Sequence, residues 1–164
     1  MPDSLLLRTH ARHVRGRFAY ASARRAFPGD AAQLRQLRRW LSGLLPDAPA
    51  RYDAIMVAVE LATNAVKHTA SGRGGIFTVE ITWHAELAAL RIAVSDGGAP
   101  PRSRACASPE VLGENGRGLQ VVRALAARSG AYGGRCGGLT WADIPWSEFA
   151  SWNGRGGIAG GVGA

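Results

Sequence analysis

The sequence predicts an α+β fold, a two-layer sandwich in which a mixed, mostly antiparallel sheet packs against three helices. Two patterns predict it. Apolar residues recur at three- and four-residue steps in segments such as 50–69, which is the period of a helix. In other segments, such as 76–84, apolar and polar side chains alternate, which is the period of a strand. Short connections between the strands favour hairpins, with the helices on one face.

The predicted elements follow in a simple order. Asp30 is expected to cap the first helix, and Pro46 and Pro49 separate that helix from the second. Glycines and prolines mark most of the other boundaries. The expected elements are a strand at 18–27, helices at 30–45 and 50–69, strands at 76–84 and 87–95, a helix at 116–129, and strands at 131–135 and 139–144.

Composition predicts one globular domain, at 18–146, between two unstructured ends. The chain has 164 residues, of which 46% are hydrophobic, enough for a single core. Residues 1–17 form a basic arm and residues 147–164 a glycine-rich tail, and both are expected to be disordered. Nine of the arginines lie in the first 39 residues, so most of the net charge of +8 is there. Such an arm suits nucleic acid or an acidic protein, but coding bias towards arginine explains it equally well.

The same composition argues against several classes of protein. No apolar run reaches the length of a membrane span, and the N-terminus lacks a signal-peptide core, so a cytoplasmic protein is expected. Cys106 and Cys136 have neither metal-ligand spacing nor a disulfide framework, and both are expected to be reduced. No helix-turn-helix or aromatic-interleaved basic groove is found, so direct nucleic-acid binding is not expected.

The second predicted helix carries a polar stripe. Glu60, Asn64 and His68 are spaced four residues apart and therefore lie almost on one line, with Thr63 and Lys67 on its flank. Such stripes are usually solvent faces of amphipathic helices. A stripe on a core helix has a second interpretation, in which it lines a binding site. Other parts of the chain favour the second interpretation.

Two glycine-containing segments follow the stripe. Asp96-Gly97-Gly98 ends an apolar strand, where a carboxylate can accept a hydrogen bond from an exocyclic amine, although Asp-Gly pairs also form simple turns. Gly113 to Leu119 opens the third helix, where backbone N–H groups, the helix dipole and Arg117 suit a phosphate. A flexible loop explains the second segment equally well, and it is not a Walker motif.

The order of these three elements resembles that of the N, G1 and G2 boxes in the GHKL ATPase superfamily, which has the Bergerat-type ATP-binding fold. Within that superfamily the stretch Glu-Leu-Ala-Thr-Asn-Ala-Val-Lys-His, residues 60–68, is similar to that of bacterial anti-sigma factor serine/threonine kinases. The resemblance covers residues 24–144. One departure is Pro100, followed by Pro101, where the second glycine of the G1 pattern would fall.

The resemblance implies a role for each matching residue. Asn64 would be the protein ligand of Mg²⁺, and Glu60 would be the catalytic general base. Residues 99–115 would form a mobile lid over ATP, and His68 stays unassigned between a structural and a phosphate-binding role. The residues expected to bind the nucleotide are Asn64, Asp96 and Gly98, which face the adenine or the metal, then Gly116, Arg117, Gly118 and Leu119 at the phosphates, and Thr140 near the adenine.

The resemblance also implies a function. A cytoplasmic Mg²⁺-ATP-dependent serine/threonine kinase would act as an anti-sigma factor, sequester a sigma factor and phosphorylate an anti-anti-sigma antagonist. Dimerisation is expected on the same ground. A second hypothesis is an ATP-binding regulator that sequesters a partner without kinase activity. A third is a detached catalytic domain of a sensor histidine kinase, which would need a separate phospho-acceptor hairpin.

Overall fold

The computed structural model describes residues 8–14, 17–97, 117–134 and 137–147. Six strands and three α-helices lie in these ranges, together with short 3₁₀ turns at Ala70–Gly72 and Ala85–Leu87. In chain order the elements are β1 (Arg8–Val14), β2 (Arg17–Pro28), α1 (Gln33–Leu44), α2 (Ala50–His68), β3 (Ile76–His84), β4 (Ala89–Asp96), α3 (Arg117–Leu125), β5 (Arg128–Gly134) and β6 (Gly137–Pro145).

The strands form one sheet in the order β1-β2-β3-β4-β6-β5. The predicted α+β sandwich of one sheet and three helices is therefore confirmed. Every pairing among the described strands is antiparallel, where a mixed, mostly antiparallel sheet was expected. The reason is the connection through α3. It carries the chain from β4 to the sheet edge at β5, and β6 then returns to lie between them, so no two neighbouring strands run in parallel.

Most predicted elements are found with shifted ends. Strand β3 has the predicted limits, and α2 ends one residue early, at His68. Helix α3 ends at Leu125 rather than 129, because residues 128 and 129 pair with β6 instead. The predicted cap of α1 is wrong: the helix begins after Ala32, with no side-chain cap. The Asp30 carboxylate accepts a hydrogen bond from the Ala32 N–H at 3.0 Å, in the turn before the helix.

The basic N-terminal arm differs from the expectation of disorder over part of its length. Residues Arg8–Val14 form the edge strand β1, which pairs with β2 from Arg8 opposite Arg24 to Val14 opposite Arg17. Charge composition does not predict this pairing, because edge strands commonly carry charged residues. Residues 1–7, and residues 148–164 of the predicted tail, lie outside the described residues.

The core lies between the sheet and the helices. Alternate residues of β3 are buried on the helix side, beginning with Phe77, whose ring stacks on Phe27 at 5.3 Å between centroids. Trp40 of α1 meets Phe27 edge-on at 5.9 Å. Leu37 and Leu41 anchor α1 to the same cluster. Within the described part of the chain, no helix is long and apolar enough to cross a membrane.

Helix α2 is the central helix and contacts α1, α3, β3, β4 and β6. Its buried residues are mostly small, and this allows a close approach to the sheet because little side-chain volume separates the two backbones. The buried positions are Ala54, Val57, Ala58, Val59, Leu61, Ala62 and Ala65. The side of α2 away from these contacts carries the exposed residues Tyr52 and Met56, and the polar stripe that begins at Glu60 continues that side at four-residue steps.

An ion-pair cluster joins β4, β5 and β6 on the face of the sheet that points away from the helices. Asp143 of β6, whose side chain is 2% exposed, accepts hydrogen bonds from Arg91 at 2.7 and 2.9 Å and from Arg128 at 2.8 and 3.1 Å. The Arg91 guanidinium also lies over the Trp141 ring, 4.4 Å from its centroid. Burial would raise the pKa of Asp143, but the hydrogen bonds from both arginines outweigh it and lower the pKa below its ordinary value of 3.8.

The Asp143→Asn variant is expected to unfold more easily by about 2 kcal/mol near neutral pH, because it leaves two arginines without their shared carboxylate. Since the folded pKa is lowered, this stabilisation is fully present well above pH 3.8 and is lost as the pH falls from there through the folded pKa. Urea unfolding near pH 7 and at a series of pH values below 3.8 measures both effects, and the difference between the two proteins should shrink as the pH falls.

The matched control is Asp47→Asn, which removes an exposed ion pair with Arg51. Exposed pairs contribute about 0–1 kcal/mol. If Asp143→Asn lowers the free energy of unfolding no more than Asp47→Asn does, the cluster does not stabilise the sheet.

Candidate functional site

The polar stripe of α2 runs from a covered end to an open end. Glu60 and Asn64 are partly buried, whereas Lys67 and His68 in the last turn are exposed. Thr63 is satisfied within the helix, since its hydroxyl donates to the Val59 carbonyl at 2.7 Å. The stripe therefore presents two partly covered polar groups, a carboxylate and an amide, one helical turn apart.

The carboxylate of Glu60 lies against the first turn of α3. A Cβ on Gly118 would overlap Oε2 of Glu60 and would lie 3.3 Å from its Cδ. Glycine is therefore the one residue that leaves this carboxylate where it is. A carboxylate is also favoured beside the positive end of the α3 dipole. Two predicted site residues, from distant parts of the chain, are thus brought into contact.

A second carboxylate, that of Asp96 at the end of β4, packs against a glycine of β6. Asp96 pairs with Gly138 across β4 and β6, and a Cβ on Gly138 would lie 2.8 and 2.9 Å from the two carboxylate oxygens. Thr140 pairs with Val94, so Thr140 lies on the same face of the sheet as Asp96, two positions along β6 from Gly138. Val94 and Ala142 belong to the core, so this is the face on which α2 packs.

Some of the predicted site residues lie outside the described ranges, and others lie in α3. Gly98, Gly116 and the expected lid at 99–115 are outside them, as are Cys106 and Cys136. Arg117 is the first residue of α3, and Leu119 is partly buried on the same helix.

Two residues with contacts at this site were not predicted. Gly138 lay just before the predicted start of β6, and only the strand register shows that it opposes Asp96. Ser71 was assigned to a glycine-rich turn, yet its hydroxyl is buried and accepts a hydrogen bond from the Gly97 N–H at 2.8 Å. No local pattern in the sequence marks either residue, because both depend on contacts across the sheet.

The described part of the site has too few oxygen ligands to hold a metal ion alone, but it suits a metal ion that is also bound by a phosphate ligand. Among the residues that the structure describes, no group of three or more His, Cys, Asp or Glu side chains could hold a metal ion. Asn64 offers one amide oxygen beside a carboxylate. A hard cation such as Mg²⁺ commonly takes one or two protein oxygens and completes its shell with phosphates and water. The residues present fit such a cation when it is bound together with a nucleotide.

Comparison with known proteins identifies the family. A search of curated proteins finds no match. The model of the histidine kinase-like ATPase domain family matches residues 27–140, which is most of the chain. The matched range contains Glu60, Asn64, Asp96 and Gly118, and it ends at Thr140. The chain therefore belongs to the histidine kinase-like ATPase domain family and is an ATP-binding protein of that fold.

Proposed function

We propose that this protein is a Mg²⁺-ATP-dependent serine/threonine kinase that also acts as an anti-sigma factor. The observation that carries the proposal is the position of Glu60. Its carboxylate lies against Gly118 in the first turn of α3, where a phosphate is also favoured by the free N–H groups and the helix dipole. A carboxylate beside a phosphate-binding turn is placed to accept a proton from a hydroxyl that attacks the phosphate.

The transfer step uses this carboxylate as a base. Glu60 takes the proton of a serine or threonine hydroxyl, and the hydroxyl oxygen forms a bond to the γ-phosphorus of ATP as the bond from that phosphorus to the ADP oxygen breaks. ADP leaves with the electron pair of that bond. Asn64 would hold Mg²⁺, which when bound neutralises phosphate charge. Gly118 and Leu119 of α3 would contact the phosphates, with Gly116, Arg117 and the segment 99–115 completing that end.

The adenine end of the site is assigned to Asp96 and Thr140. Asp96 would accept a hydrogen bond from the exocyclic amine of adenine, with Gly98 allowing the base to approach and Thr140 beside it on β6. The proposal rests on the position of these two residues on one face of neighbouring strands.

The regulatory part of the proposal rests on the similarity of residues 60–68 to the anti-sigma factor kinases. The partners would be a sigma factor, which is sequestered, and an anti-anti-sigma protein, which is phosphorylated; the protein would act as a homodimer. The alternative is an ATP-binding regulator that sequesters a partner without transferring phosphate. The presence of Glu60 beside the phosphate-binding turn favours the kinase.

Replacement of Gly138 by alanine is expected to weaken ATP binding about tenfold. The new Cβ would displace the Asp96 carboxylate, and a hydrogen bond to a charged group contributes roughly 1.5–3 kcal/mol. Isothermal titration with ATP measures the change. Gly133→Ala is the matched control, because Gly133 lies opposite Gly138 and its Cβ would meet only the Gly138 Cα, at an ordinary 3.7 Å. Equal ATP affinity in the folded Gly138→Ala variant and the wild type would refute the assignment of Asp96.

Replacement of Glu60 by glutamine is expected to reduce phosphoryl transfer by a factor of about 100 or more, because the amide cannot accept the proton. ATP affinity should stay within about threefold of wild type, since glutamine keeps the shape that fits against Gly118. The assay is transfer from γ-labelled ATP to candidate anti-anti-sigma proteins. Glu80→Gln, on the opposite face of the sheet, is the control.

Unchanged phosphorylation by Glu60→Gln would exclude Glu60 as the base. If the wild type captures a sigma factor in an ATP-dependent manner but phosphorylates none of the candidates, the non-kinase regulator replaces the kinase. If it captures no sigma factor, the anti-sigma part of the proposal is wrong.

A further inference from the structure

The Ser71 hydroxyl joins three segments of the chain at the end of the sheet. Ser71 has a relative exposure of 0% and lies in the 3₁₀ turn that follows α2. Its hydroxyl donates to the Ile76 carbonyl at 2.6 Å and accepts from the Gly97 N–H at 2.8 Å. The buried hydroxyl therefore acts both as a donor and as an acceptor.

The Ser71 hydroxyl lies where a backbone hydrogen bond between β3 and β4 would otherwise form. The register of β3 and β4 ends with Thr78 opposite Ser95. Continuation of that register would put Ile76 opposite Gly97, within reach of a direct bond between the carbonyl of one and the N–H of the other. Ser71 lies between these two groups and bonds to both. It thereby replaces a ladder hydrogen bond with a bridge and separates the end of β4 from β3.

The bridge acts on the backbone of Asp96. The Gly97 N–H and the Asp96 carbonyl belong to one planar peptide unit, so a hydrogen bond that holds this N–H restricts the ψ angle of Asp96. On its other side, Asp96 is paired with Gly138. The backbone that carries the Asp96 carboxylate is therefore held by β6 on one side and by Ser71 on the other.

A second set of hydrogen bonds ties this bridge to α2. The Ser71 N–H donates to the Thr69 hydroxyl at 3.2 Å, and that hydroxyl donates to the Ala65 carbonyl at 2.6 Å. Ala65 is the neighbour of Asn64. The helix that carries the proposed metal and base residues is thus connected, through Thr69 and Ser71, to the backbone N–H that follows Asp96 at the end of β4.

We propose that Ser71 is a positioning residue for base selectivity: it holds the Asp96 carboxylate where it can accept from the 6-amino group of adenine. This inference rests on the proposed role of Asp96. A serine that serves packing alone would affect all nucleotides alike. A serine that orients Asp96 affects only those nucleotides with which Asp96 forms the hydrogen bond.

The test compares the affinities for ATP and for purine riboside triphosphate, which has hydrogen in place of the 6-amino group. The wild type should prefer ATP by about 10- to 100-fold, the value of one hydrogen bond to a charged acceptor. Ser71→Ala should reduce this preference about tenfold through weaker ATP binding, while its affinity for the purine analogue stays unchanged. Ser95→Ala, on the opposite face of β4, is the matched control and should keep the full preference.

The outcomes separate this inference from the proposed site. A wild type without preference for ATP overturns the role of Asp96, and the inference with it. A wild type that prefers ATP, together with a Ser71→Ala variant that keeps the preference or loses affinity for both nucleotides equally, overturns the inference alone. Should Ser71→Ala fail to fold, Ser71→Cys keeps the size but donates weakly, and it should show an intermediate preference; full preference in that variant overturns the inference.

Discussion

The close packing of α2 on the sheet is the constraint on which the rest of the structure depends. Four of the buried residues of α2 are alanines, so the helix lies near β4 and β6 and is also covered by α1 and α3. Buried positions of such a helix suit apolar residues, so its polar side chains take positions that these neighbours leave at least partly open. Glu60 and Asn64 take such positions, and their partial burial follows from the neighbours that enclose the helix. The same packing gives the stripe the partly covered surface that the proposed nucleotide site requires.

Two carboxylates of this site are each fitted against a glycine. Glu60 lies on Gly118, and Asp96 lies on Gly138. Glycines in nucleotide-binding motifs are usually explained by the close approach of backbone to phosphate. Here Gly118 leaves room for the Glu60 carboxylate, since any side chain would move the proposed base. The two glycines come from different elements, α3 and β6, so the positions of both carboxylates depend on the assembled fold rather than on local sequence.

Local periodicity predicted most of the elements but not their contacts. The limits of β3 and nearly all of α2 could be predicted because their patterns run without interruption for many residues. The end of α3 could not, because Arg128 is recruited to β5 by its pairing with Asp143. Strand β1 was missed since its pairing with β2 is not encoded in its own composition.

The site residues also divide into those that a local sequence pattern marks and those that depend on long-range contacts. Glu60, Asn64 and Asp96 stand in recognisable local motifs, and the resemblance supplied their expected roles. Gly138 and Ser71 carry no local signal, since each matters only through a partner far away in the chain: Asp96 for one, and Gly97 for the other. Long-range register is a property of the folded sheet, and a single sequence does not display it.

A crystal structure of the protein with Mg²⁺ and a non-hydrolysable ATP analogue tests the proposed site most directly. Mg²⁺ is expected about 2.1 Å from the amide oxygen of Asn64, and the adenine amino group about 3 Å from the Asp96 carboxylate. A nucleotide bound away from these two residues, or a metal held by other side chains, would contradict the assignment of α2 as the metal- and base-bearing wall of the pocket.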